Sequence, residues 1–202
     1  LRNQPKPIET FNPRGQELSE IEQVQRLGGL LLHCLDPDGD AEDSYRKKLG
    51  QDARGEFQRW ISLAEDELRK GVLPASLKDF VDHWSARKPG RAGRAWPKNI
   101  PCIELVHDLV HWLPELHDDP EGQIYLEVFT RQLGACEFVS KFKTQIVTDP
   151  LNTDLSLKSV GDLLLYFLAP IADGIAKVDE DLMDTFPRNR LSVLSIHQSK
   201  GL

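Results

Sequence analysis

Apolar residues recur at steps of three and four over most of this chain, and that spacing places them on one face of an α-helix. The two clearest stretches carry apolar residues at Leu18, Ile21, Val24, Leu27, Leu31 and Leu35, and then at Phe57, Trp60, Ile61, Ala64 and Leu68. Each stretch ends at residues that interrupt helices, Pro37 with Gly39 and Gly71 with Pro74. The periodicity therefore predicts a mainly α, multi-helical fold.

Capping residues indicate where three further helices begin. Ser76 stands at the start of one apolar run, and Asp119 stands before Pro120 at the start of another, a combination typical of a first helical turn. Ser159, with an acidic residue three positions later, forms a capping box that predicts a helix starting there. Pro170 is expected to kink or break this last helix because it has no N–H donor.

The two ends of the chain depart from the helical pattern. Residues 191–196 alternate apolar and polar side chains, which predicts a strand, and Pro7 to Phe11 form a short extended stretch. Both ends can belong to one sheet, with the helical body inserted between them. The expected fold class is a mainly α, irregular multi-helical domain with short β segments at the two termini.

Composition excludes several classes of protein. The chain has 202 residues, 40% hydrophobic and 28% charged, which is ordinary for a globular protein and argues against a disordered tail, a collagen or a membrane-embedded protein. None of its apolar runs approaches the length of a membrane span, ~20 residues. Three widely spaced cysteines argue against zinc ribbons and disulfide frameworks, and they favour a reducing, cytoplasmic compartment.

Motifs for self-contained catalysis are missing from the sequence. It has no GxxxxGK[ST] phosphate loop, no GxGxxG fingerprint and no GxSxG elbow. His107 and His111 lie four residues apart with His117 nearby, but their segment lacks the Glu of the HExxH zinc-peptidase pattern. The acidic cluster at residues 179–184 is typical of a solvated turn. We expect no metal site and no catalytic residue in this chain.

A local basic patch is the exception to an acidic chain. The net charge is −7, so any contact with nucleic acid requires such a patch. Between Ser85 and Asn99 the sequence has no acidic residue and contains the basic residues Arg87, Lys88, Arg91, Arg94 and Lys98. These cations suit phosphates, and an exposed indole of the flanking Trp84 or Trp96 can stack on a base. The alternative, slightly favoured by composition alone, is a solvated loop whose tryptophans pack inward.

The last twelve residues, LSVLSIHQSKGL, place a strand directly before a turn that contains Ser195, His197, Lys200 and Gly201. This run resembles the motif V region of UvrD/Rep-type superfamily 1 DNA helicases, where a strand leads into a T/S-x-H-x-x-K-G-L-E turn. The run FNPRGQ at residues 11–16 is similar, more loosely, to the start of the second motor domain of that family.

The resemblance implies a layout for the whole chain. Residues 1–15 would be a stub of the RecA-like domain 2A, residues 16–188 a helical 2B-like insertion domain, and residues 189–202 the return strand and motif V of 2A. Because the chain starts at Leu1 and stops directly after a predicted strand, we expect it to be a segment of a longer protein.

The resemblance also implies an activity, that of an ATP-dependent DNA helicase using ATP and Mg²⁺ in the longer parent, with no ATPase activity in this segment. Ser195 and His197 would contact single-stranded DNA, while Lys200, Gly201 and Arg14 would lie on the nucleotide side. Duplex DNA, or a junction, would meet the helical body at Arg87, Lys88, Arg91 and Arg94. The resemblance implies DNA as the partner, with repair proteins as a further candidate and no membrane.

Two alternatives stay open at this point. A RecB-like helicase–nuclease shares motif V and differs only in the domain that follows the motor. A non-enzymatic helical module that recruits repair proteins is the other alternative, and the acidic balance of the chain favours it.

Overall fold

The computed structural model describes residues 10–11, 16–86, 96–149, 151–178 and 191–192. This part of the chain is mainly α with short β segments, as predicted. Its helices are α1 (Glu22–Leu35), α2 (Asp40–Tyr45), α3 (Gln51–Lys70), α4 (Ala75–Ser85), α5 (Cys102–Val110), α6 (Pro114–His117), α7 (Pro120–Val139), α8 (Thr153–Leu163) and α9 (Ala169–Ala172). A 3₁₀ turn (Leu18–Glu20) precedes α1, and a π-helical segment (Leu164–Leu168) joins α8 to α9. The strands are β1 (Thr10–Phe11), β2 (Asn99–Pro101), β3 (Gln145–Val147) and β4 (Leu191–Ser192).

Helix α1 lies at the centre of the helical body and packs against α3, α4, α5 and α7. Its sequence is apolar on more than one face because several neighbours cover it, and its buried apolar side chains are Val24, Leu27, Leu30, Leu31, Leu32, Cys34 and Leu35. The predicted apolar stripes face the core: in α3, Phe57, Trp60 and Ala64 are fully buried, and Ile61 and Leu68 are partly buried against it. Helix α3 ends where predicted, at Gly71, which adopts the left-handed conformation at φ 71°.

Two adjacent glycines allow α1 and α3 to approach each other closely. A Cβ built on Gly29 would lie closer than 3.0 Å to the backbone carbonyl of Trp60, and one built on Gly28 would meet the Trp60 ring. A backbone neighbour cannot rotate out of the way as a side chain can. The absence of a side chain at residue 29 is therefore a packing requirement of this helix pair.

Helix capping follows the prediction at one position and departs from it at two. The Asp119 carboxylate accepts a hydrogen bond from the Gly122 N–H at 3.2 Å, with Pro120 in the first turn, as predicted. The expectation for Ser76 was wrong, because α4 begins at residue 75 after a proline and has no side-chain cap. The capping box at Ser159 was also wrong, because Asn152 caps this helix seven residues earlier, accepting from the Leu155 N–H at 3.1 Å.

The helix that contains Pro170 is not broken there. The five-residue π-helical segment lies just before the proline, and the helix continues to residue 172. Because Pro170 has no N–H, the carbonyl of Tyr166 loses its usual helical partner. The side-chain amide of Gln132 on α7 donates to that carbonyl at 3.5 Å.

The helix that contains Pro170 also corrects the expectation that no apolar segment approaches the length of a membrane span. Within the described residues, Thr153–Ala172 is a continuous 20-residue helix with a mean hydropathy of 1.4, which is long and apolar enough to cross a membrane. In the structure, 67% of the 18-residue stretch that gives this hydropathy is buried inside the helical body. Its apolar character is that of a core helix in this fold.

Two short sheets complete the described structure. Strands β2 and β3, which the periodicity did not predict, pair antiparallel with Ile100 opposite Ile146. Strands β1 and β4 pair in parallel, with Thr10 opposite Leu191 and Phe11 opposite Ser192. The two extended ends therefore do lie in one sheet, with the helical body between them in sequence. Residues 193–196 of the predicted strand lie outside the described residues.

Candidate functional site

The chain enters and leaves the helical body at one place, which we call the neck and define as residues 16–18 and 176–178. The Leu18 N–H donates to the Ala176 carbonyl at 3.1 Å, and the Val178 N–H donates to the Gln16 carbonyl at 3.2 Å. Glu17 and Lys177 form an antiparallel bridge there, and their side chains form an ion pair at 3.3 Å. The segments through which the chain enters and leaves the helical body therefore lie side by side at the neck.

A groove of about 580 Å³ lies beside the neck, between the 3₁₀ turn, α3 and the end of α9. Of its lining residues, one is basic, Arg59, and the acidic ones are Glu17, Glu20, Asp52, Glu56 and Asp173. Carboxylates concentrated on one surface repel phosphate groups. The groove therefore does not fit ATP.

The basic patch is held at both ends by aromatic packing. The ring of Trp96 lies 5.1 Å from the ring of Trp84 and 5.1 Å from that of His83. The prediction that either tryptophan could stack on a base is wrong for Trp84, which is only 6% exposed, and Trp96 packs against the core while half-buried. These two tryptophans pack inward, the alternative that composition favoured.

The β2–β3 sheet holds the residue that follows Trp96 and Pro97 at the C-terminal end of the basic patch. The Thr148 N–H donates to the Lys98 carbonyl at 2.9 Å, and the Lys98 ammonium pairs with Asp149 at 3.3 Å. Lys98 is thus the one predicted patch residue within the described range, and it is already paired with an acid. The other four, Arg87, Lys88, Arg91 and Arg94, lie outside the described residues.

The motif V candidates also lie outside the described residues; they are Ser195, His197, Lys200 and Gly201. The same is true of Arg14, the candidate at the start of the chain for contact with the nucleotide. The histidines considered for metal binding are described. His107 and His111 are exposed at the end of α5, and the His117 ring lies 2.8 Å from the Asp118 carboxylate. No group of three or more His, Cys, Asp or Glu side chains within the described ranges is arranged to hold a metal ion.

A charged cluster that the sequence analysis missed joins α1, α3 and α6. The Arg26 guanidinium makes a two-point contact with Glu67, through Nε at 2.5 Å and Nη2 at 2.8 Å. It also binds Glu115 through Nη1 and Glu22 through Nη2 at 3.1 Å. The hydrogen bonds to Glu67 raise the pKa of Arg26. Only the Glu22–Arg26 spacing of four on one helix was visible in the sequence.

A second groove opens directly beside this cluster. It has a volume of about 490 Å³, and we call it the Trp112 groove. Its lining is formed by Glu22, Gln23, Arg26, Val72, Leu73, Pro74, Trp112, Pro114 and Glu115. The surface is therefore largely apolar, with charged groups from α1 and α6 along one side.

A buried polar network links α2, α8 and the turn after α7. The Tyr45 hydroxyl donates to the Asp162 carboxylate at 2.9 Å, and the Ser140 hydroxyl donates to the other Asp162 oxygen at 3.1 Å. Burial, followed by the bond to Asp162, raises the pKa of Tyr45 to about 12. Ser159, the mistaken cap, instead accepts from the Val147 N–H at 3.0 Å and so ties α8 to β3.

The free energy of unfolding is expected to fall as the pH rises from 10.0 to about 12. In that window the unfolded chain has lost the Tyr45 proton while the folded chain still holds it, so proton release favours unfolding. Below the unfolded pKa the stabilisation is fully present. Burial also raises the pKa of Cys136 to about 12 from 9.0, which adds a loss over an overlapping window.

Urea unfolding midpoints measured across this range test the assignment, with Tyr45→Phe as the comparison. This variant should be less stable at neutral pH by about 1–3 kcal/mol, because Asp162 loses a buried donor. Its stability should also decline less steeply above pH 10.0 than that of the unaltered chain. Equal pH slopes for the two proteins would contradict the assignment.

Two of the three cysteines are buried with raised thiol pKa values. Burial raises the pKa of the Cys102 thiol as well as that of Cys136, which keeps both in the unreactive thiol form. Both grooves carry more acidic than basic side chains.

Comparison of the chain with protein-family models, curated proteins and solved structures finds no match.

Proposed function

We propose that this chain is the helical insertion of an ATP-dependent DNA helicase of the UvrD/Rep type, flanked by short pieces of the second motor domain. ATP and Mg²⁺ would be bound by other parts of the longer protein, inside the cell. The helical body would contact duplex DNA or regulate unwinding.

The observation that carries this proposal is the parallel pairing of β1 with β4. A parallel pair requires a crossover connection, usually helical, between its two strands. Here that connection contains the whole helical body, and the neck holds its entering and leaving strands together. This is the arrangement expected of a domain inserted between two neighbouring strands of a larger sheet.

The motif V resemblance supplies the roles at the return strand. Ser195 and His197 would contact the single strand, and Lys200 and Gly201 would shape the turn that faces the nucleotide. Arg14, close to β1 in sequence, would be the residue directed at the terminal phosphate. The parallel pair places the start of this return segment beside the chain that enters the body, which suits a joint contribution of both ends to one motor domain.

For the helical body, the basic residues between positions 87 and 95 are the proposed duplex contact. Both ends of this nine-residue segment are attached to folded structure, through Trp84 and Trp96. The groove beside the neck and the Trp112 groove, which both carry more acidic than basic side chains, would face away from DNA phosphates.

Duplex binding should therefore depend on this segment in a measurable way. Replacing Arg87, Lys88, Arg91 and Arg94 with alanine is expected to weaken duplex affinity for all sequences. It should also reduce the slope of log K against log salt by about 0.9 for each phosphate contact that is lost. Titration of a labelled duplex at several salt concentrations measures both quantities.

A charge-matched variant separates local contact from overall charge. It carries the same number of alanines at four exposed basic positions elsewhere, Arg46, Lys47, Arg69 and Lys70. Its salt slope should stay close to that of the unaltered chain. Equal slopes for the two variants would rule out the basic segment as the duplex contact.

A protein-interaction module is the second candidate, and the Trp112 groove favours it. The groove is largely apolar and lies in a chain with a net charge of −7. A chain that binds a protein partner and shows no salt-dependent duplex binding would support this candidate over the helicase insertion.

A further inference from the structure

The Trp112 groove combines exposed apolar surface with a flat aromatic ring. Val72, in the turn between α3 and α4, is 63% exposed, while Leu73 beside it is buried. Pro74 and Pro114 lie in the lining with the half-buried Trp112. Prolines and an indole make a rigid surface, so a ligand that packs on it loses little of the protein's conformational freedom.

The charged side of the groove carries more negative than positive charge. One guanidinium, that of Arg26, faces three carboxylates, those of Glu22, Glu67 and Glu115. Its hydrogen bonds already engage all three nitrogens. Among the described residues, no second Lys or Arg forms an ion pair with any of these carboxylates. Two negative charges therefore stay unbalanced at the edge of an apolar surface.

This combination selects a class of ligand. Phosphate groups would be repelled by the excess of carboxylates, whereas an ammonium or guanidinium would be attracted. Pro and aliphatic side chains match the apolar lining, and a volume of about 490 Å³ is in the range that holds several side chains. A peptide with a basic residue next to an apolar one presents both features together.

We propose that the Trp112 groove is a docking site for a short extended segment of a partner protein, in which a Lys or Arg lies next to a proline or aliphatic residue. The basic side chain pairs with Glu22 and Glu115, and its apolar neighbour packs on Val72 and Trp112. The proposal is independent of the helicase assignment because it uses only residues of α1, the α3–α4 turn and the α5–α6 region.

Fluorine NMR on the full chain labelled with 5-fluorotryptophan tests this docking directly. The probes are blocked tetrapeptides with Arg or Lys at the third position and Pro, Leu or Val at the second. Trp112→Phe assigns the resonance of Trp112 among the four tryptophans. The expected result is a saturable shift of the Trp112 resonance, with no comparable shift for the buried Trp60.

A double variant that changes one charged and one apolar residue of the groove tests the site without disturbing the core. The double variant Glu22→Gln and Val72→Ser changes exposed side chains, and it should weaken binding about tenfold, or ~1.4 kcal/mol. The control is Asp154→Asn with Ile175→Ser. Asp154, like Glu22, lies in the first turn of its helix and pairs with a basic residue four positions later, Lys158. Its side chain is 74% exposed, against 68% for Glu22, and Ile175 is 70% exposed.

Four results would overturn the proposal. The first is no shift of Trp112 with any peptide of the panel. The second is an equal shift with peptides in which Glu replaces the basic residue. The third is equal weakening by the groove variant and the control. A Trp112 shift produced by a short DNA duplex but not by the peptides would assign the groove to nucleic acid and would likewise overturn it.

Discussion

Replacing Gly29 with alanine is expected to destabilise the helical body by about 3 kcal/mol, the upper end of the usual cost of overpacking a core. The new Cβ would lie closer than 3.0 Å to the carbonyl oxygen of Trp60, which belongs to the backbone of α3. Because that oxygen cannot move without shifting the helix, α1 and α3 would have to separate. The separation would loosen contacts around Trp60, one of the largest fully buried side chains.

The matched control is Gly55→Ala, in the other helix of the same pair. A Cβ at Gly55 meets nothing within 4 Å, and the position is exposed. Alanine should stabilise α3 there by about 0.5–1 kcal/mol because glycine loses more conformational entropy on folding. Urea unfolding of the three proteins measures both changes. If Gly29→Ala proved as stable as the unaltered chain, the close approach of α1 and α3 would be refuted.

Replacing Arg26 with methionine should have the second large effect, a loss of about 3–5 kcal/mol. Methionine keeps much of the apolar stem but leaves the Glu67 carboxylate without its two-point partner. Glu67 is 8% exposed, so water cannot replace the guanidinium without opening the packing between α1 and α3. An uncompensated buried charge is what makes this loss large.

Adding Glu67→Leu to Arg26→Met should recover most of the lost stability, since removing both members of a buried pair is often close to neutral. Lys158→Met provides the control for an exposed pair, with its partner Asp154 four residues away on α8. It should cost only about 0.3–0.5 kcal/mol. Failure of the second substitution to recover stability would mean that Glu67 is not the carboxylate that depends on Arg26.

Helix positions were predictable from sequence to the extent that they depend on local periodicity. The apolar steps in α1 and α3 indicated most of the buried residues, although Ile61 and Leu68 are only partly buried. Capping was less predictable, because a serine followed by an acid three residues later fits both a helix start and a helix interior. Ser159 shows the difference, since its hydroxyl lies inside α8, where it donates to the Ser156 carbonyl and accepts from the Val147 N–H on β3.

The effect of Pro170 depends on a residue that is distant in sequence. Local rules predicted a kink or a break, because the proline removes a helical hydrogen bond. The helix continues through a π-helical segment directly before the proline, and Gln132, on another helix, donates to the Tyr166 carbonyl. Nothing in the residues around Pro170 indicates that partner.

The candidate sites differ in the same way, between those made of contiguous residues and those assembled from residues distant in sequence. The basic patch and the motif V run are contiguous in sequence, so composition and order were enough to propose them. The inward packing of Trp84 depends on a contact with Trp96 across the basic segment. The Arg26 cluster joins residues 22, 67 and 115, and only the pair on α1 was close enough in sequence to be noticed.

By itself, the sequence determined a mainly α body with an extended segment at each end, because side-chain periodicity follows from the backbone geometry of a single element. The tertiary structure alone decided that the two ends pair in parallel, that α1 touches α3 at Gly29, and that three carboxylates share Arg26. These features depend on how whole elements pack through side-chain shape and buried hydrogen bonding. That packing brings together residues whose separation along the chain carries no local signal.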